Sequence, residues 1–104
     1  MMKKINFYDT SSLLLQADKL FENNETFALS SITLEELEHI KTASNKDADV
    51  KFAARKVASL LDSHIGEYDV EIYSESMDKL LAKNSIAINN DAKILACALS
   101  YRKK

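Results

Sequence analysis

The order of apolar and polar positions along the chain predicts three strands. Apolar side chains alternate with polar ones over residues 4–9, where Ile5 and Phe7 point to one side, and again over residues 69–73. A compact apolar run over residues 26–32 is typical of a buried strand. We expect these three segments to form the sheet of the protein.

Apolar residues at three- and four-residue spacing predict five helices between and after the strands. They cover residues 12–21, a segment opened by the capping-box pair Thr33 and Glu36, residues 47–63, residues 76–82, and a segment capped by residues 89–91. The resulting order is β-α-β-α-α-β-α-α. Strands that alternate with helices predict the α/β fold class, with a parallel sheet and helices on both faces.

Composition narrows the possible classes of protein. A chain of 104 residues, 46% hydrophobic and 29% charged, supports one domain over residues 1–104 and is not typical of a disordered protein. The single cysteine excludes an internal disulfide framework, and no apolar run approaches 18 residues, so we expect a cytoplasmic protein without a membrane span. The net charge of −2 excludes nucleic-acid binding by overall charge alone.

Three acidic residues follow the predicted strands or begin helices. Asp9 ends the first strand, Glu36 falls in the first turn of the second helix, and Asp91 begins the last helix. Ligands bind open α/β sheets at the carboxyl ends of the strands, so we expect these carboxylates to converge there. Such a group favours Mg²⁺ or Mn²⁺, and a bound ion of this kind supports phosphodiester hydrolysis. The alternative is that each acid only stabilises a helix N-terminus.

Three segments resemble the motifs of the PIN domain family, in the family's order. They are FYDTSSLL at residues 7–14, SITLEELEHIK at residues 31–41 and NDAKILACA at residues 90–98. The second motif and the long helix after it are most similar to the PIN domains associated with phosphate-starvation-type ATPases. Together the three motifs span almost the whole chain.

The resemblance implies a three-layer α/β/α sandwich with a short parallel sheet and a divalent-metal-dependent ribonuclease. It implies Asp9, Glu36 and Asp91 as the catalytic and metal-binding acids, with Ser11 and Asn90 beside them and Mg²⁺ or Mn²⁺ as the cofactor. The family continues into a fourth strand with a further acid, which this sequence lacks. The alternatives are therefore a catalytically weak module with a nucleic-acid-binding or regulatory role, or the toxin of a toxin–antitoxin pair.

The sequence also predicts a nucleic-acid-binding surface and protein partners. A basic cluster near the loop after the second motif is either a solvated face or a surface that holds the RNA backbone; it comprises Lys41, Lys46, Lys51 and Arg55. Without a fourth strand, the edge of the first strand (residues 4–8) and part of the last helix are uncovered, which predicts a homodimer. An antitoxin or a completing chain is the other expected protein partner. We interpret His39, His64 and Cys97 as solvated or structural.

Overall fold

The elements occur in the predicted order. The structure, a computed structural model, describes residues 5–22, 26–44 and 47–102. Its strands and helices are β1 (Asn6–Tyr8), α1 (Thr10–Leu15), β2 (Phe27–Ser30), α2 (Ser31–Thr42), α3 (Ala48–Ser63), β3 (Asp69–Glu71), α4 (Glu75–Lys83) and α5 (Asn90–Arg102). Over these residues, none of the helices combines the length and the hydropathy needed to cross a bilayer.

The sheet is parallel, as predicted. The three strands of the described residues lie in the order β1-β2-β3, so β2 is central and β1 forms one edge. Phe7 pairs with Ala28, and Leu29 pairs with Val70. Because all three strands point the same way, the segments that follow them leave the sheet at one edge.

Helices cover both faces of the sheet, which confirms the α/β sandwich. Phe27 and Leu29 of β2 lie in the larger apolar cluster, where they pack against the buried side chains of α1, α2 and α3, among them Leu13, Leu37, Ala54, Val57 and Leu61. The smaller cluster joins α4 to α5 through Met77, Leu81, Ala92, Ala96 and Cys97. All four residues of β2 are buried, as the apolar run predicted.

The start of α2 differs from the prediction. The helix begins at Ser31, and the side chain of Ser30 accepts a hydrogen bond from the backbone N–H of Ile32 at 3.0 Å. The predicted capping box of Thr33 and Glu36 is therefore wrong, since Thr33 is already helical and fully buried. The strand before it ends two residues earlier than predicted because residues 31 and 32 belong to the helix. Glu36 consequently lies in the second turn of α2 rather than in the first.

The start of α1 also lies earlier than predicted. Asp9 is the N-cap, and its Oδ1 accepts a hydrogen bond from the backbone N–H of Ser12 at 2.8 Å. The regular helix ends at Leu15, and residues 16–22 continue as hydrogen-bonded turns instead of the predicted helix over 12–21. The other helices agree closely with the prediction. In α5, Asn89 Oδ1 accepts from the N–H of Ala92 at 2.8 Å, which confirms the predicted cap.

Candidate active site

Three helix starts meet at the carboxyl edge of the sheet. Helix α1 follows β1, and α2 follows β2, so parallel pairing brings both starts to one edge. The start of α5 joins them through a hydrogen bond from Asn90 Nδ2 to Glu36 Oε2 at 3.2 Å. The segments that hold the three predicted acids therefore lie beside one another.

Glu36 is the centre of this arrangement. Its Oε1 accepts a hydrogen bond from the Thr10 hydroxyl at 2.5 Å, while its Oε2 accepts the bond from Asn90. The side chain is half-buried. Because Glu36 lies in the second turn of α2, its carboxylate reaches sideways to α1 and α5 instead of back to the start of its own helix. One carboxylate thus links three helices.

Thr10 is a site residue that is not among those predicted from the sequence, since the family resemblance implies Ser11 as the hydroxyl beside the acids. The Thr10 and Thr33 hydroxyl oxygens are 3.2 Å apart, and Thr33 is fully buried. Ser11 is exposed and forms no side-chain hydrogen bond with the rest of the described chain. With Asp9 as the N-cap, Thr10 is the first helical residue. Assigning Asp9 as the helix cap would have placed Thr10 at the start of α1, next to the predicted site.

The other two predicted acids, Asp9 and Asp91, lie at the starts of α1 and α5. Asp9 is exposed, and its side chain turns to cap α1. In the described part of the chain, Ser12 is the one donor to the Asp9 carboxylate. Asp91 lies in the first turn of α5, is exposed, and directly follows Asn90. Both acids keep carboxylate oxygens open to solvent.

Within the part of the chain that the structure describes, these three acids form no ion pair with a basic side chain. Ion pairs among residues 5–22, 26–44 and 47–102 join Lys41 to Glu38 and Lys56 to Asp18, and His64 contacts Glu67. None of these contacts involves Asp9, Glu36 or Asp91. Among the described residues, the donors to Glu36 are the neutral side chains of Thr10 and Asn90. Its negative charge is stabilised by hydrogen bonds but is not cancelled by a cation of the described chain.

The donor set suits a hard divalent cation. Carboxylate, hydroxyl and amide oxygens are the ligands that Mg²⁺ and Mn²⁺ prefer. Among the described residues, no cationic side chain pairs with the three acids and would compete with the ion. Across the described ranges, no group of three or more acidic, imidazole or thiol side chains is close enough to hold a metal ion. The convergence of the three carboxyl groups themselves therefore stays a prediction, while Glu36, Thr10 and Asn90 do meet.

An open cleft of about 370 Å³ lies beside Glu36. It is lined by Glu35, Glu36, His39, Ile40 and Asn90. His39 was interpreted from the sequence as solvated, and it is exposed, but it shares this cleft because residues three apart lie on one helix face. Glu36 is open to solvent through this cleft.

The structure describes three of the four residues of the predicted basic cluster. Lys41 forms an ion pair with Glu38 at 3.1 Å on the same helix. Lys51 and Arg55 are four residues apart on α3, so they lie on neighbouring positions of one face, with Arg55 exposed. Lys46 lies outside the described residues. In the described part of the chain, these basic groups make no ion pair with the site acids.

His64 and Cys97 do not line the cleft beside Glu36, and both make structural contacts. His64 stacks on Phe21 with ring centroids 3.9 Å apart and pairs with Glu67 at 2.8 Å. Cys97 is fully buried, and its Sγ accepts a hydrogen bond from the Ser30 hydroxyl at 3.2 Å. Burial raises the pKa of the Cys97 thiol above its ordinary value. Both residues are explained by packing.

Comparison with known proteins gives one match. A family model described as PIN domain matches residues 7–104, which include the starts of all three helices at the site. No curated protein and no solved structure matches the chain.

Proposed function

This chain belongs to the PIN domain family, and from that premise we propose that it is a divalent-metal-dependent ribonuclease that hydrolyses RNA phosphodiester bonds beside Glu36. PIN domains are in general nucleases that need divalent metal ions. The observation that supports the assignment most strongly is the pair of hydrogen bonds on Glu36. Those bonds connect the starts of α1 and α5 to Glu36 on α2, next to an open cleft.

We propose that Asp9, Glu36 and Asp91 hold Mg²⁺ or Mn²⁺ and that Ser11 and Asn90 lie beside the ion. When bound, the ion supplies an activated water and stabilises negative charge on the scissile phosphate. The residues of the chain have separate tasks. Glu36 offers a half-buried carboxylate that accepts hydrogen bonds from Thr10 and Asn90, and the exposed carboxylates of Asp9 and Asp91 would hold the ion together with it.

We assign RNA binding to the basic cluster of Lys41, Lys46, Lys51 and Arg55. Phosphate contacts by Lys and Arg position a nucleic acid without reading its sequence. Lys51 and Arg55 share one face of α3, the helix packed on α2, and Lys41 lies near the end of α2. Replacing Lys51 and Arg55 by Gln should weaken RNA binding and reduce its salt dependence.

The function is tested by RNA cleavage with Mn²⁺. We expect the unmodified protein to cleave single-stranded RNA, chelator to stop the reaction, and Asp9→Asn, Glu36→Gln and Asp91→Asn each to abolish it. Asp49→Asn is the matched control, because Asp49 is a first-turn acid of α3 just as Asp91 is of α5. Equal cleavage by the three site variants and the control would refute the assignment.

A homodimer belongs to the same proposal. In the described residues β1 is an open edge of the sheet, and α5 exposes Leu95 (53%) and Leu99 (45%). Unpaired strand edges and exposed apolar side chains both favour association. We propose that two copies pair through one of these surfaces. Light scattering at tens of micromolar that gives the mass of a single chain would refute this.

A second candidate function is a regulatory, nucleic-acid-binding module with weak catalysis. The three-stranded sheet of the described residues favours it, because that sheet, as expected from the sequence, does not include the fourth strand and further acid of the family. Binding of RNA without cleavage at saturating Mn²⁺ would select it. Four other expectations from the sequence remain predictions. They are an antitoxin or completing chain as partner, kinship with the PIN domains of phosphate-starvation-type ATPases, a single domain over residues 1–104, and a cytoplasmic location.

A further inference from the structure

We propose that Thr10 is a positioning residue that fixes the Glu36 carboxylate for metal binding, an inference that rests on the proposed function. Neither Thr10 nor its contact with Glu36 was among the site residues expected from the sequence. The Thr10 hydroxyl lies 2.5 Å from Glu36 Oε1, the shortest of the hydrogen bonds that hold the three helix starts together. Its neighbour Ser11 is exposed.

The backbone at Thr10 is held in place on its own helix. Asp9 caps α1 through its side chain, and its carbonyl oxygen accepts the N–H of Leu13 at 3.1 Å. Leu13 is fully buried in the larger apolar cluster, which anchors the same turn to the core. A β-branched side chain such as that of Thr10 has few allowed χ1 rotamers. The direction of its hydroxyl is therefore set by the fold.

The Thr10 hydroxyl has two neighbours, Glu36 and Thr33, and its single proton goes to the Glu36 carboxylate. A hydroxyl has one proton to donate and can accept at the same time. The Thr33 hydroxyl is buried and lies 3.2 Å from that of Thr10, so it can donate to Thr10 while Thr10 donates to Glu36. A carboxylate can only accept, which favours this direction of donation. Two threonines from different helices thus present one proton to Oε1.

Asn90 completes the support from the opposite side of the carboxylate. Its amide donates to Oε2 at 3.2 Å, so each Glu36 oxygen has one neutral donor. Each carboxylate oxygen can accept a further interaction, and Glu36 lines the open cleft. A carboxylate held at both oxygens keeps one orientation toward the cleft. Partners of this kind typically change metal affinity by about 10- to 100-fold when removed.

The test measures Mn²⁺ binding to the full chain by isothermal titration calorimetry. We expect Thr10→Val, which keeps the shape but loses the hydroxyl, to bind Mn²⁺ about 10- to 100-fold more weakly than the unmodified protein. Thr10→Ser keeps the hydroxyl and should bind like the unmodified protein. Thr42→Val is the matched control, because the Thr42 hydroxyl bonds only to carbonyl oxygens of its own helix among the described residues. Circular dichroism checks that every variant is folded.

Two results overturn the inference alone: Mn²⁺ binding by Thr10→Val that equals the unmodified protein, or binding by Thr10→Ser that is as weak as that of Thr10→Val. In the second case packing of the methyl group, rather than the hydroxyl, would be responsible. In both cases RNA cleavage by the unmodified protein would still support the proposed function. An unmodified chain that neither binds Mn²⁺ nor cleaves RNA would overturn the proposed function and this inference together.

Discussion

Ser30 offers a test of how the position of α2 is determined. This residue is fully buried, caps α2 by accepting the N–H of Ile32, and donates to Cys97 across the sheet. Replacing it by Ala removes both bonds and leaves a helix N–H without a partner. Ser74 is the matched control, because it is also an N-cap serine, but its side chain forms no capping hydrogen bond and is exposed.

The expected loss of stability follows from burial. Loss of an N-cap costs about 1 kcal/mol where water can replace the side chain. Water has no access at Ser30, so the unsatisfied N–H brings the cost for Ser30→Ala to about 2–3 kcal/mol. For a domain of this size that corresponds to a drop in melting temperature of about 10–20 °C. Ser74→Ala should remain within about 0.5 kcal/mol of the unmodified protein.

Urea denaturation followed by far-ultraviolet circular dichroism measures both variants. The slope of the free energy of unfolding against urea should stay constant, so that the midpoint alone reports stability. A loss below about 0.5 kcal/mol for Ser30→Ala would contradict the reasoning, since it would equal an ordinary surface substitution. An equal loss for both variants would mean that serine at a helix start matters here independently of its hydrogen bond.

Three further predictions concern the metal and two titratable groups. Mn²⁺ at about 100 times its dissociation constant should stabilise the fold by about 2.7 kcal/mol and raise the melting temperature measured by calorimetry, and Glu36→Gln should remove most of the rise. Burial raises the pKa of the Cys97 thiol, so a thiol reagent at pH 8 should label the folded protein far more slowly than the urea-unfolded chain. The hydrogen bond to Asp69 at 2.6 Å raises the pKa of Tyr101 from 10.0 to about 12. Its contribution to stability is present below pH 10 and is lost as the pH approaches 12, and Tyr101→Phe should flatten that part of an alkaline unfolding curve.

Apolar periodicity was sufficient to predict the order of the elements and the parallel sheet. It could not locate the start of α2, because residues 30–33 offer three hydroxyl side chains that could each cap a helix. The choice of Ser30 depends on its burial against Cys97, 67 positions away in sequence. Local pattern therefore determines that a helix forms, while tertiary packing determines where it begins.

In the candidate site, too, the sequence predicted the residues but not their contacts. Asp9, Glu36 and Asp91 were predicted from their places after strands and at helix starts. The contacts of Glu36 were not predicted, because Thr10 and Asn90 are 26 and 54 residues away from it in sequence. Such hydrogen bonds depend on how α1, α2 and α5 pack together. A sequence pattern identifies which residue types are available, but not which side chains meet.

The bond between Glu36 and Asn90 crosses the boundary between two packing layers. Glu36 belongs to a helix anchored in the larger apolar cluster, whereas α5 is anchored in the smaller one with α4. Regions with less buried apolar surface open more often in native-state fluctuations. Transient detachment of α4 and α5 would withdraw Asn90 and Asp91 while the other layer stays folded. The site would then be the first part of the molecule lost on warming. Hydrogen exchange in α5 should follow the loss of the proposed RNA cleavage more closely than global unfolding does.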